Sequence, residues 1–226
     1  MIFIVNMKTQ PTIVLLTLCF LSLGRVAADT ITEPLLDTGL LTTDLTNVPL
    51  NFQLFDSNLG TLTGVSLTIT GEMKASGTVT NTAANPQSFS FKQDVGYTLT
   101  DSGGPLDPTL STITPDPSKT QTYTNLASNT SSPYGPFDVT ASSTTNSFGS
   151  LAPFEAPGGG TDTVLVSTLT GDTFIGGGGN ITQDVTTQGD ATIEVIYTYT
   201  PVPEASSLLL MGGLLGGFCM VRRRTV

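Results

Sequence analysis

Eighteen Asp and Glu residues are the only side chains present in number that could do acid–base chemistry or hold a metal, because the 226-residue chain has no histidine. Without histidine there is no Ser-His-Asp or Cys-His catalysis and no histidine metal site. A pair of carboxyl groups about 5–10 Å apart could hydrolyse a glycoside. Asp94 with Asp101, and Asp184 with Glu194, are pairs that strand pairing could bring together. Nothing in their spacing selects them, and surface solubility is the simpler account. Asp101, Asp107, Asp116, Asp162 and Asp172 sit in or beside loops carrying glycine and proline. Hard oxygen ligands suit calcium, the one cofactor this pattern could take, but no EF-hand or glycine-aspartate nonapeptide is present. Gly176 to Gly179 lacks the Lys-Ser/Thr of a phosphate loop and reads as a loop or strand bend. Sugar binding usually wants exposed aromatic platforms. There is no tryptophan, and only Tyr123 and Tyr134 stand off the predicted core faces as candidates.

The elements that must position these residues are strands. Val65-Ser66-Leu67-Thr68-Ile69-Thr70 alternates apolar and hydroxyl side chains with period two. Phe89, Phe91, Val95, Tyr97 and Leu99 share one face, interrupted by Gln93. Ala191, Ile193, Val195, Tyr197 and Tyr199 share another. Shorter candidates are Asn51–Phe55, Gly77–Asn81, Thr120–Leu126, Phe137–Ala141, Thr163–Thr170 and Asn180–Thr187. The 40 threonines suit the wet face of half-buried strands, being β-branched and tolerant of water. Turn clusters separate the runs at Asn58-Leu59-Gly60, Gly103-Gly104-Pro105, Asp116-Pro117, Pro133 to Pro136, Gly158 to Gly160, Gly176 to Gly179 and Gly189-Asp190. The pattern predicts an all-β fold, an antiparallel β-sandwich of immunoglobulin-like or jelly-roll-like kind. Ser128 to Thr145, rich in Ser, Thr, Pro and Asn, is the stretch least expected to be ordered.

The two ends differ from this middle. Ile13 to Leu23 is an apolar run of eleven residues with Lys8 before it and Val26-Ala27-Ala28 after it. Basic n-region, short h-region and small-residue site predict a signal peptide over 1–28, cut by signal peptidase between Ala28 and Asp29. At the other end, Ser206 to Val221 is apolar and glycine-containing, and Arg222-Arg223-Arg224 follows. Positive charge stays on the cytoplasmic side, so 206–221 reads as a short transmembrane helix stopped by 222–224. The segment between, 29–200, is the expected β ectodomain. It carries 17 acidic residues against Lys74, Lys92 and Lys119, a net charge of −14. That balance argues against nucleic acid as a partner. Both cysteines, Cys19 and Cys219, lie in the apolar ends, so the ectodomain must stand on its core without disulfides.

Val202-Pro203-Glu204-Ala205, the apolar stretch and Arg222-Arg223-Arg224 together resemble a PEP-CTERM sorting signal. That resemblance implies that exosortase, a membrane enzyme, reads the motif at Pro203, Glu204 and Ala205 within a sorting tail over 201–226. Ala205 stands where the family usually has proline. The middle resembles the choice-of-anchor E domain in Leu59-Gly60-Thr61-Leu62-Thr63-Gly64-Val65, Leu67 to Gly71, Gly77 to Thr82, Gly178-Gly179-Asn180, Ala191-Thr192 and Val195 to Pro203. This implies an exported bacterial β domain and carries no activity with it. In a bacterial chain the sequons Asn129-Thr130-Ser131 and Asn180-Ile181-Thr182 are coincidental.

Three readings of function follow. The leading one is a non-catalytic exported protein of the cell surface or extracellular matrix, transiently anchored in the membrane, with a structural or adhesive role. The second is a carbohydrate-binding module meeting extracellular polysaccharide, which an exposed aromatic row would favour. The third is a carboxylate-dependent hydrolase, which two converging buried carboxylates would favour. For export itself, N-terminal sequencing of the exported chain is expected to start at Asp29. Exported material that keeps Ile13 to Leu23 would overturn the signal-peptide reading.

Overall fold

The computed structural model describes residues 27–101 and 104–202. Thr30–Tyr199 makes one compact unit. Its strands are β1 (Asp29–Thr32), β2 (Leu36–Asp37), β3 (Leu41–Thr42), β4 (Val48–Asp56), β5 (Gly60–Asn81), β6 (Gln87–Thr100), β7 (Ser118–Leu126), β8 (Thr130–Thr145), β9 (Glu155–Ala156), β10 (Gly160–Gly176) and β11 (Ile181–Pro201). One four-residue helix, α1 (Asp107–Leu110), sits between β6 and β7. The fold is all-β, as the alternation predicts. One sheet has the order β1-β11-β5-β8, with β2 and β3 also on β11. The other has the order β7-β6-β10-β4-β9. The apolar run of the expected signal peptide, 13–23, and the transmembrane helix expected over 206–221 lie outside the described residues. Among the described residues no helix is long and apolar enough to cross a membrane.

The inward side chains of both sheets make the core. Phe52 and Phe55 of β4, Leu67 and Ile69 of β5, Val95 and Leu99 of β6, Val164 and Val166 of β10, and Ile193 and Val195 of β11 belong to one buried cluster. On β5, β6, β10 and β11 these residues are an even number of positions apart, which is the pleat sending alternate side chains to one face, whereas Phe52 and Phe55 of β4 are three apart. A second cluster holds Ala75, Val79, Phe89, Phe91, Tyr123 and Tyr134. On β6 the inward residue between the two clusters is Gln93.

Four buried tyrosines tie the sheets together. Tyr97 of β6 donates its hydroxyl to the Glu72 carbonyl of β5 at 2.5 Å. Tyr197 of β11 donates to the Gln53 carbonyl of β4 at 2.7 Å. Tyr134 of β8 donates to Lys119 of β7 at 2.9 Å, and Tyr123 of β7 donates back to Pro133 of β8 at 3.1 Å. Every one of these bonds runs from one sheet to the backbone of the other. Each contributes about 0.5–1.5 kcal/mol net, and each ring adds the larger stabilisation of its buried apolar area.

The strand boundaries differ from the sequence expectation in three places, each for a physical reason. Gly77–Asn81 is not a separate strand but the end of the 22-residue β5. Gly189-Asp190 is not a turn, since 181–187 and 191–200 lie on the same 21-residue β11. A Cβ at Gly189 would sit 2.9 Å from the Tyr97 hydroxyl, and one at Gly71 would sit 2.6 Å from the Tyr97 ring. Both glycines make room for a side chain from the opposite sheet rather than bend the chain. Ser128 to Thr145, the stretch expected to be least ordered, contains the 16-residue β8. Its Pro133 to Pro136 cluster is a β-bulge opposite Ala75 and Gly77, with Gly135 at φ +75°. Proline has no N–H to give a ladder, and bulges on an edge strand are where a sheet accepts it.

The tyrosines make stability fall at high pH. Burial pushes Tyr123 and Tyr134 up to about 12 from an ordinary value of 10.0, and it pushes Tyr97 and Tyr197 higher still. Above that ordinary value the unfolded chain releases phenol protons that the folded chain keeps. The folded state then binds more protons, so stability drops as pH rises from about 10 through 12. Tyrosinate absorbance should therefore rise together with the loss of β circular dichroism. Reversible ionisation of these rings near pH 10 in a chain that stays folded would refute the four bridges.

Candidate functional site

The N-terminal strap, residues 33–47, closes one side of the unit by running from one sheet to the other. Leu36 and Asp37 pair with Ile193 and Thr192 of β11, and Leu41 and Thr42 pair with Gly189 and Gln188. At Thr43 the strap leaves β11, its amide donating to the Thr187 carbonyl at 3.2 Å. It then meets β10: the Leu45 amide donates to Thr168 Oγ1 at 2.8 Å, and Asp44 Oδ1 accepts the Thr170 amide at 2.7 Å. The strap's cross-over thus ties β11 to β10, with Thr170 Oγ1 donating to Thr43 Oγ1 at 2.8 Å.

Below this crossing the two sheets stand open around a cavity of about 330 Å³ lined by Thr42, Thr43, Asp44, Gln93, Thr170, Asp172, Val185, Thr186 and Thr187. Two features of the chain place it there. Gln93 interrupts the apolar face of β6, and β10 and β11 are joined by Gly177 to Asn180, where four consecutive glycines, Gly176 to Gly179, have φ between +64° and +89°. Glycine adopts that left-handed region without steric cost, so the chain can turn from one sheet directly into the other. The glycine run is a loop, as expected.

Gln93 is 1% exposed and sits directly across the ladder from Asp172. Its Nε2 donates to Asp172 Oδ1 at 3.1 Å. Gln183 Nε2 donates to Asp172 Oδ2 at 2.8 Å, which carries the contact over to β11. The amide orientation is forced, because the carboxylate accepts and only the nitrogen can give. Gln93 Oε1 is then left buried with no hydrogen-bond partner. A buried acceptor without a donor costs about 1–3 kcal/mol, and such groups in native proteins call for an explanation. The lining adds threonine hydroxyls and two carboxylates, and no basic side chain lines it.

The other sequence candidates are not assembled into sites. Asp94, midway along β6, and Asp101, just beyond its end, lie seven residues apart, about 23 Å at strand rise, and Asp184 and Glu194 lie ten apart on β11, about 33 Å. Neither pair converges. Of the calcium candidates, Asp101 and Asp107 do meet, but they serve the turn before α1. Asp107 Oδ1 accepts the Asp101 amide, and Asp101 Oδ2 accepts the Leu106 amide at 2.9 Å. Asp116, Asp162 and Asp172 stand elsewhere, and among the described residues no group of three or more His, Cys, Asp or Glu could hold a metal. Tyr123 and Tyr134 are 5% and 1% exposed, core residues rather than sugar platforms. Phe174, at 36%, is the one exposed aromatic among the described residues, so there is no aromatic row. Ala28 is exposed and Asp29 opens β1. Pro203, Glu204, Ala205, Arg222, Arg223 and Arg224 lie outside the described residues. The cavity was missed in the sequence because Asp44, Gln93, Asp172 and Thr187 come from four separate segments. The one signal for it was the polar break at Gln93.

No family model and no curated protein matches the chain. Among solved structures it is similar to turnip yellow mosaic virus at 12% identity, covering 80% of this chain and 99% of that one, with a TM-score of 0.18. It is similar to infectious bursal disease virus, Gx strain, at 15% identity, covering 80% and 42%, with a TM-score of 0.16. A third similarity is to the parasporin-2 toxin of Bacillus thuringiensis, at 11% identity over 76% and 68%, with a TM-score of 0.18. These scores carry no argument about function.

Removing the Asp172 carboxylate should leave the buried Gln93 amide without its acceptor as well. Asp172→Ala is expected to cost about 1–3 kcal/mol in urea unfolding. Asp138→Ala, which removes an exposed carboxylate 3.5 Å from Lys74, should stay within about 0.5 kcal/mol. Equal costs would show that Gln93 does not depend on Asp172.

Proposed function

We propose that the chain is a non-catalytic exported protein, released at the cell surface or into an extracellular matrix, where its β unit has a structural or adhesive role. In this reading signal peptidase removes 1–28, the C-terminal helix holds the chain in the membrane for a time, and exosortase acts at Pro203-Glu204-Ala205. In the same reading the β unit is an immunoglobulin-like or jelly-roll-like antiparallel sandwich with helical ends. The observation that carries it is where the compact unit begins and ends. Thr30–Tyr199 starts one residue after the expected cleavage position and stops before Pro203. Both processing steps therefore flank the fold, and neither would cut a strand of the core.

The surface supports the same reading. Outward hydroxyls pair across neighbouring strands, Thr68 with Thr144 at 3.0 Å, Thr70 with Ser142 at 2.7 Å, Thr80 with Ser131 at 2.7 Å and Ser90 with Thr122 at 2.9 Å. Such a face is polar, with Lys74 paired to Glu72 and Asp138 among the hydroxyls. The ectodomain's charge of −14 keeps it soluble and repels anionic surfaces.

The tail is tested by its charges. Each arginine costs about 2.5–3.5 kcal/mol at a bilayer centre, so three in succession resist translocation. Changing Arg222, Arg223 and Arg224 to Ser should release the intact chain without C-terminal cleavage. Glu204→Ala should instead leave an uncut, membrane-bound form. Mass and membrane partition of both variants and the parent, in a host carrying an exosortase, decide the matter. One mass and one location for all three would overturn the sorting assignment.

A further inference from the structure

We propose that the cavity between the strap, β10 and β11 is a binding pocket for one or two units of a neutral or amino-substituted saccharide; the adhesive role above would then be exercised here, and this inference rests on that reading. The starting point is the unpaired Gln93 Oε1. It is a buried acceptor on a residue 1% exposed that lines the cavity, so the missing partner is a hydrogen-bond donor. The rest of the lining matches the needs of a hydroxylated ligand. Thr170 and Thr43 spend their hydroxyl hydrogens on Thr43 Oγ1 and the Thr187 carbonyl, so they offer acceptors, as do Asp44 and Asp172, while Thr187 Oγ1 can give or accept. Sugar hydroxyls donate and accept at short spacing, and an amino group would add charge pairing with the two carboxylates.

Size and surroundings separate this ligand from the alternatives. A cavity of about 330 Å³ is far larger than the roughly 30 Å³ share of one water and lies at the lower end of small-molecule sites. A calcium ion needs six to eight oxygens, several of them carboxylate. Here two carboxylates line the cavity, and among the described residues no group of three or more His, Cys, Asp or Glu could hold a metal. An acidic sugar would face two carboxylates with no basic lining residue.

Beyond the lining residues the strand carries an exposed ring. Phe174 lies two residues beyond Asp172 on the same face of β10, about 7 Å along the strand. Its ring is 36% exposed and is held by stacking on Phe91 at 4.6 Å and 22°. A fixed ring one strand repeat beyond the carboxylate can take the apolar face of a sugar unit that extends out of the cavity while the lining groups take the hydroxyls. A single ring at a pocket suits a chain end or a short branch, whereas a row would track a fibre.

The test uses the full chain in a zwitterionic detergent free of sugar. It is passed over immobilised cello-, manno- and chito-oligosaccharides, glucosamine oligomers, and alginate as the anionic control. Binding to at least one neutral or amino oligosaccharide and none to alginate is expected. Gln93→Leu, which keeps bulk and removes the amide, and Phe174→Ala, which changes an exposed ring, should each weaken that binding by roughly tenfold or more. Thermal melts report the fold, and Phe174→Ala carries the test if Gln93→Leu does not fold. Absence of binding to every neutral and amino oligosaccharide overturns the proposal, as does undiminished binding by a folded variant. A calcium-induced rise in melting temperature in the parent that Gln93→Leu abolishes would make the cavity an ion site and overturn it too. A chain that is exported and cleaved as above but binds no saccharide sinks this inference alone. One that binds but is never exported sinks the reading on which it rests.

Discussion

Four phenol hydroxyls reaching across the core to backbone carbonyls of the opposite sheet are the constraint on which the rest of the fold depends. Tyr97, Tyr123, Tyr134 and Tyr197 come from four different strands, and each closes a bond that exists only when both sheets are in place. Apolar packing alone would let the two layers slide with little change in buried area, because it has no direction. A hydrogen bond to one carbonyl does have direction. The bridges therefore set the register between layers, while the phenylalanines and aliphatic residues supply the bulk of the stabilisation. Tyr123 and Tyr134 bind reciprocally between β7 and β8, the two edge strands on that side, and so hold together a part of the unit with a smaller core.

Tyr97 also explains two glycines and part of the strap. Its ring occupies space that a Cβ at Gly71 would fill, and its hydroxyl lies against Gly189. Thr43 packs against the same glycine before the chain crosses from β11 to β10. A side chain in one sheet thus demands glycine in two strands of the other, and the strap closes over that slot. Just beyond it the apolar packing stops at Gln93, and the cavity begins where the strap no longer spans the gap.

Much of the architecture was legible in the chain because the pleat has a period of two, and one buried face leaves a direct trace of it. The inward residues of β5, β6 and β11 were readable one by one, and so was the break at Gln93. What misled was the meaning of glycine and proline. Gly189-Asp190 and Pro133 to Pro136 carry the composition of turns, yet both lie inside long strands. Local composition reports which φ and ψ values a residue tolerates, whereas the need for glycine at 71 and 189 comes from a ring more than ninety residues away in one case. No window of sequence contains that information.

By itself the sequence determined the class of fold, the inward faces and the absence of histidine chemistry, because these depend on local periodicity and on which side chains exist at all. Tertiary structure alone decided which carboxylates meet. Asp94 and Asp101 were a pair that strand pairing could have brought together, and they are held apart by the rise of one strand. Asp44, Gln93, Asp172 and Thr187 share no local pattern and line one cavity. The physical reason is that a β ladder brings together residues of distant strands at about 5 Å while separating neighbours along a strand by more than 3 Å each. A site in such a fold is written in cross-strand register, and register is fixed only when both sheets have closed.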